Sequence, residues 1–244
     1  MTSPRRWSTT EDIQKYYRKH DLYGRYTFGN RTRVSQIRKI FLKWNRHFGR
    51  AVLDLACGGG ILGFVVEAEE HQYLGIDINP DMITSARQEA AKIGSKCTFA
   101  LGDVRSSRIK GTFHTVTLLG NAVIHFTPAD LQKTLGNIKE NVSVGAYFLV
   151  EYRDVVRMLY TGDWGKRYVE EKGKRSVVSV SKGIDTERGR INVESISRGK
   201  HNLDFGHALW SPFILEQVMN GAGWELARRQ RTSPQVWFDV YQKK

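Results

Sequence analysis

The chain has 244 residues, 40% of them hydrophobic, a formal net charge of +13 and two cysteines. That length suits one large domain, or one domain with a sizeable insertion, and it supplies enough apolar residues for a core without covalent staples. Cys57 and Cys97 fit neither metal-ligand nor disulfide spacing, no run approaches the roughly 18 apolar residues of a membrane span, and residues 1–7 lack the apolar stretch of a secretory signal. A soluble cytoplasmic protein with no metal site is the expectation.

The charge is uneven: +10 over residues 1–50, −2 over 51–150, +3 over 151–210 and +2 over 211–244. The first 50 residues hold an arm in which Tyr16, Tyr17, Tyr23 and Tyr26 sit among Arg18, Lys19 and Arg25, followed by a helix predicted over 33–47. Such a basic region reads either as a surface for an anionic partner or as a solvated helix face, and the second reading is favoured.

From residue 51 strands and helices alternate. Strands are predicted over 51–57, 72–78, 98–101, 115–119 and 147–152. Helices are predicted over 61–70, 80–93 and 128 to about 141, with Pro80 in a first turn and Thr127 as an N-cap. This alternation implies a doubly wound, mostly parallel α/β sheet with its ligand site at the carboxyl ends of the strands. Residues 153–210 break the pattern: strands over 175–181, 191–197 and 203–210 and a hairpin tip over 185–190 predict an antiparallel β insertion after the fifth strand. Residues 211–244 return to a helix (213–220) and two strands (224–229 and 236–241) that complete the core. The expected divisions are therefore 1–50, 51–152, 153–210 and 211–244.

The most informative segment is Val52-Leu53-Asp54-Leu55-Ala56-Cys57-Gly58-Gly59-Gly60, an apolar strand that ends in a glycine turn. Asp77 ends the next strand, 19 residues after Gly58, an arrangement that grips a nucleoside. Gly58–Gly63 also satisfies G-x-G-x-x-G, a weak signal alone for a dinucleotide. Three features oppose that reading: Asp54 within the first strand, the Ile78-Asn79-Pro80-Asp81-Met82-Ile83 sequence after Asp77, and a third acid, Asp103, closing Phe99-Ala100-Leu101-Gly102-Asp103-Val104.

At these three motifs the chain resembles the class I S-adenosylmethionine-dependent methyltransferases, a Rossmann-like family, with a pattern closest to small-molecule, glycine N-methyltransferase-like members. The resemblance implies S-adenosylmethionine as the cofactor. It implies that Ala56, Gly58 and Gly60 pass beneath the methionine part, and that Asp54 and a carbonyl at Gly120 face its ammonium group. Asp77, beside Ile78, would hold the ribose hydroxyls. Met82 would pack on the adenine, and Asp103 with the Val104 amide would bind its edge. Asp54 could equally fix the glycine turn by hydrogen bonds. Ala56 stands where many relatives have glycine, a departure expected to cost little.

The acceptor would meet the cofactor beyond the fourth strand, at Leu118-Leu119-Gly120-Asn121-Ala122-Val123-Ile124-His125-Phe126. Asn121 and His125 are the catalytic candidates there, His125 as a proton acceptor or hydrogen-bond partner. The insertion is expected to roof a substrate pocket with Tyr152, Arg153, Tyr160, Trp164, His207 and Trp210, and the arm to form a lid with Tyr17 and Tyr26. The sequence lacks Pro-Pro and lacks a cysteine near the fourth or fifth strand, which argues against base-nitrogen and base-carbon methylation. A methyltransferase acting on nitrogen or oxygen of a small molecule is the reading, with an anionic acceptor as a subsidiary expectation. Its rivals are an RNA methyltransferase that uses the basic arm and a non-catalytic cofactor-binding subunit.

Overall fold

The computed structural model describes residues 13–14, 27–163, 167–169, 177–197 and 200–244. Tyr17, Tyr26 and Trp164 lie outside the described residues. A basic helix α1 (Arg31–Trp44), capped by the Asn30 side chain, runs into a short 3-10 turn and then into β1 (Ala51–Leu55). The alternation continues through α2 (Ile61–Glu67), β2 (Gln72–Asp77), α3 (Pro80–Ile93), β3 (Thr98–Leu101), β4 (Phe113–Leu118), α4 (Pro128–Ile138) and β5 (Val142–Arg153). The insertion supplies α5 (Val155–Tyr160), β6 (Arg167–Val169), β7 (Val177–Asp185), β8 (Arg190–Ser197) and β9 (Lys200–Ala208). The chain closes with α6 (Pro212–Gly221), β10 (Trp224–Ser233) and β11 (Val236–Lys243).

Two sheets result. The larger has the order β3-β2-β1-β4-β5-β11-β10, parallel except for β11, which runs antiparallel to both β5 and β10. The strand order reverses between β1 and β4, and an open α/β sheet binds its ligands at such a switch point. The smaller sheet, β6-β7-β8-β9, is antiparallel throughout. Both match the predicted architecture, a Rossmann-like sheet with an antiparallel insertion after the fifth strand.

Successive residues of a strand face opposite sides, and β1 shows how both sides are filled. Leu53 and Leu55 join a core with Leu131, Leu135, Phe148, Leu215 and Met219 beneath α4 and α6. Val52 points the other way, to Val65, Ile83, Phe41, Trp44 and Phe238 beneath α1, α2 and α3. There the Trp44 ring stacks on Phe238, with centroids 4.9 Å apart. A third, small core of Ile124, Val155, Met158, Ile191 and Val193 attaches the insertion to the turn after β4.

Local signals set the helix limits. Asn79 caps α3, Pro80 opens it, and Gly94 ends it in the left-handed conformation. Thr127 and Asp130 form a reciprocal capping box at α4. No helix among the described residues is long and apolar enough to cross a membrane.

Three expectations about the insertion need correction. Residues 155–160 form a helix, where only strands were foreseen. The last strand stops at Ala208, so Trp210 lies beyond it, fully buried, with Nε1 donating to the Phe126 carbonyl at 3.0 Å. Tyr152 is no part of a roof. It is fully buried in the large sheet, and its hydroxyl donates to Asp239 at 2.9 Å. Asp239 also accepts from Arg229 and Tyr241, a buried polar network that consumes the Tyr152 side chain.

Candidate active site

A cleft of about 1170 Å³, its solvent mouth included, opens at the carboxyl ends of β1, β2, β3 and β4. Its floor is the turn after β1. Ala56, Gly58 and Gly60 all take positive φ there, at 56°, 55° and 76°. Ala56 carries a side chain in a backbone region that disfavours one by about 1–2 kcal/mol, so its cost is larger than its small size suggests. A Cβ on Gly60 would lie 2.3 Å from the Phe99 ring, and one on Gly63 would lie 2.6 Å from the Tyr73 ring. The G-x-G-x-x-G match therefore has a packing cause: two of its glycines make room for aromatic side chains under the turn.

The acids occupy three adjacent strand ends. Asp77 accepts from the Gly58 amide through Oδ2 and from the Asn79 amide through Oδ1, each at 2.8 Å. It thus ties the glycine turn to the start of α3, the tie that had been assigned to Asp54. Burial raises the Asp77 pKa, and the backbone N–H groups at Asn79, Gly58 and Ile78 counter that rise. Asp54 instead bridges strands: it accepts from Tyr73 on β2 at 2.6 Å and from Thr117 on β4 at 2.5 Å. Burial pushes Asp54 up to about 6, against the opposing effect of those two hydroxyls. Asp103 is gripped by Arg105, which donates from Nη2 at 2.6 Å and also reaches Asp130 at 3.2 Å. Burial alone would raise Asp103, but the hydrogen bonds and charge of Arg105 outweigh it and hold the carboxyl below its usual range.

Apolar and small groups complete the cleft. Ile78, Met82 and Val104 line it beside the second and third acids, and Gly120 and His125 line its far end with Leu119 and Phe126. Two described residues of the arm reach it: Ile13 lines the cleft, and Gln14 donates to the Ile78 carbonyl at 2.7 Å. Thr27 forms isolated β-bridges with Gly59 and Gly60, so the chain crosses directly over the glycine turn.

At the far end, Gly120 and Asn121 both have positive φ, at 69° and 63°. Asn121 donates its amide to the Glu151 carbonyl at 3.1 Å and accepts from the Arg153 amide through Oδ1 at 2.9 Å. Its side chain fastens the turn to β5 and is absent from the cleft lining, which gives it a positioning task in place of the catalytic one. Glu151 accepts from the Gly120 amide at 2.9 Å and pairs with Arg33 at 3.4 Å. Arg33, on α1, thereby enters the cleft wall. His125 meets His207 of β9 edge to face, with ring centroids 5.9 Å apart. The turn after β4 and the insertion thus contribute one imidazole each to the same end. Tyr160, by contrast, is 91% exposed.

Sequence reading missed Arg33, Tyr73, Arg105 and Glu151. Each acts across strands or from α1, and Tyr73 and Arg105 stand beside motif acids that drew attention first.

The residues present fit a cationic nucleoside. Three carboxylates border a cleft with apolar walls, and the floor is backbone that lies close without side chains. Strand order and cleft together define a class I S-adenosylmethionine-dependent methyltransferase fold. Residues 52–145 match the family model described as a methyltransferase domain. The ubiquinone biosynthesis O-methyltransferase of Vibrio cholerae serotype O1 is 31% identical over 86 residues, 35% of this chain and 35% of that protein. The chain thus aligns with about a third of the length of this curated relative. Among solved structures, the PH0226 protein from Pyrococcus horikoshii OT3 superposes with a TM-score of 0.73 at 22% identity, covering 94% of this chain and 99% of that one. Magnesium protoporphyrin IX methyltransferase (ChlM) from Synechocystis PCC 6803, solved with bound S-adenosylmethionine, gives 0.61 at 14% identity over 99% of this chain and 100% of that one.

Proposed function

We propose that this protein transfers the methyl group of S-adenosylmethionine to nitrogen or oxygen of a small molecule. The observation that carries the reading is the cleft at the carboxyl ends of β1 to β4, bordered by Asp54, Asp77 and Asp103. Beside it the insertion packs against the turn after β4, with His207 of β9 meeting His125 and with Ile124, Val155, Ile191 and Val193 in one small core. An insertion placed next to the acceptor end in this way suits a small acceptor. The relatives named for ubiquinone biosynthesis and for magnesium protoporphyrin IX support the same class of acceptor.

When bound, the cofactor supplies an electrophilic methyl on a sulfonium, so the protein's part is alignment and exclusion of water. Asp77 faces the ribose hydroxyls as an acceptor. Asp103, oriented by Arg105, takes the adenine amino group, with Val104 and Met82 against the ring. Asp54 and the Gly120 carbonyl hold the ammonium. Arg33, on the same wall, pairs with the carboxylate of the methionine part. His125 lies where the acceptor enters. Of the described arm residues, Ile13 lines the cleft and Gln14 donates to the Ile78 carbonyl beside it.

A second reading, an RNA acceptor, has one observation in its favour. Residues 27–50 contain seven Lys or Arg and no acid, and Arg228 of β10 extends that surface by lying over the Trp44 ring, 5.1 Å from its centroid. Incubating the protein with labelled S-adenosylmethionine and a cell extract, then separating small molecules, RNA and protein, decides between them. Label in the small-molecule fraction is expected. Label confined to RNA, with binding that weakens steeply as salt rises, would transfer the assignment to the second reading.

A further inference from the structure

Asp54 owes its setting to the two strands beside it. Gly75 stands opposite it on β2, and Thr117 stands opposite it on β4. Tyr73 comes two residues before Gly75, so it faces the same side of the sheet. Gly75 has no side chain in its path, and the Tyr73 side chain leans forward along β2. A Cβ on Gly75 would lie 2.9 Å from the Tyr73 hydroxyl, and one on Gly63 would lie 2.6 Å from its ring. Through that space the Tyr73 hydroxyl donates to Asp54 Oδ2 at 2.6 Å, while Thr117 donates to Oδ1 at 2.5 Å. Asp54 lines the cleft, whereas Tyr73 and Thr117 stand behind it. A carboxylate has roughly four acceptor sites, so each oxygen keeps one for the N–H groups of a ligand.

Resting on the methyltransferase reading, in which Asp54 meets the cofactor's ammonium group, we propose that Tyr73 and Thr117 are positioning residues for cofactor binding. Their hydroxyls hold the Asp54 carboxylate charged and aimed, and so set the lowest pH at which the amino-acid end of the cofactor is gripped. Burial pushes Asp54 up to about 6; the Thr117 and Tyr73 hydroxyls pull against that rise, and the charge of Asp77 adds to it. The titratable groups facing Asp54 are Tyr73 and Asp77 from β2 and Cys57 from the turn; β4 offers the uncharged Thr117, and α1 brings Arg33 to the same cleft. Burial first, and then the charge of Asp54 among others, pushes both Tyr73 and Cys57 well up, so both stay neutral. Asp77, also raised by burial, serves the ribose on this reading, so its titration touches every nucleoside ligand alike. A hydroxyl that donates to a carboxylate favours the charged form over the acid. Without it Asp54 takes up its proton at a higher pH, and the grip on an ammonium group is lost from that higher pH downward.

The test is calorimetry on the full chain with two ligands, from about pH 5 to about pH 8. S-adenosylhomocysteine carries the amino-acid end; 5′-methylthioadenosine carries the same nucleoside and a thioether without it. The ratio of their affinities therefore reads the amino-acid end and cancels the titration of Asp77. In the native chain this ratio is expected to fall as the pH drops through about 6. Tyr73→Phe keeps the ring and removes only the hydroxyl. It is expected to move the midpoint of that fall upward by about one pH unit, with the ratio at about pH 8 kept within about threefold of native. Thr117→Val, of matching shape, is expected to move the midpoint the same way, and Thr117→Ser, which retains a hydroxyl, to leave it in place. A merely structural role would weaken both ligands together and leave the midpoint where it was. An unmoved midpoint in either Tyr73→Phe or Thr117→Val, or a native ratio that does not vary with pH, overturns this inference and leaves the methyltransferase reading intact. A native chain that binds neither ligand removes both.

Discussion

Asp77 holds two backbone amides with its two oxygens, so it shapes the floor of the cleft it lines. Asp77→Asn exchanges one acceptor for a donor opposite an N–H group. Calorimetry is expected to show cofactor affinity reduced at least tenfold, on the order of 1.5–3 kcal/mol for a lost charged hydrogen bond. Unchanged affinity would sink the nucleoside assignment. Asp54 gives a pH signature. Its folded pKa of about 6 exceeds the roughly 3.9 of an unfolded aspartate. The folded state therefore favours the protonated acid: the contribution is complete below about pH 4 and is lost as the pH rises through about 6. The loss is on the order of 3 kcal/mol. Asp54→Asn has no proton to lose, so urea titrations of the cofactor-free protein should show the variant gaining on the native chain across that window. Ala56, with φ of 56°, supplies a third test. Ala56→Gly is expected to raise unfolding free energy by up to about 1 kcal/mol, because relief of the left-handed strain exceeds the added chain entropy.

Elements with local punctuation were legible. α3 begins and ends where Asn79, Pro80 and Gly94 predict, and the Thr127 cap was read directly from the sequence. α5 was not legible. Its six residues are rich in β-branched and aromatic types, and its helical form rests on Asp154 accepting from the Arg157 amide and on burial of Val155 and Met158. The Tyr152 misassignment has the same origin, since its partner Asp239 is 87 residues away and no local pattern announces it. The three acids that border the cleft were visible because Asp54 interrupts an apolar run and Asp77 and Asp103 each close one. Arg33, which enters the cleft from α1, had no such marker. The network around Asp239 is also the most vulnerable joint between elements. Asp239→Ala would leave Arg229 without its buried carboxylate partner, and a loss of roughly 3–5 kcal/mol is expected in urea denaturation. A loss below about 1 kcal/mol would mean that water replaces the carboxylate.

For the molecule as a whole, a ligand that binds only the folded state raises its stability by mass action. At a hundred times Kd, S-adenosylmethionine is expected to add about 2.7 kcal/mol, or roughly 5–10 °C in Tm for a chain of 244 residues. A thermal shift that does not depend on cofactor concentration would contradict binding in the cleft. The position of β11 has a different consequence. It lies between β5 and β10, so the strand at the edge of the sheet precedes its inner neighbour in the chain. While the protein is being synthesised, β5 stays an open edge until residues 236–243 leave the ribosome, and β10 has nothing to join. For that interval the nascent chain exposes an apolar strand whose free N–H and C=O groups can capture another copy. Its safe production therefore depends on how quickly the last strand is inserted.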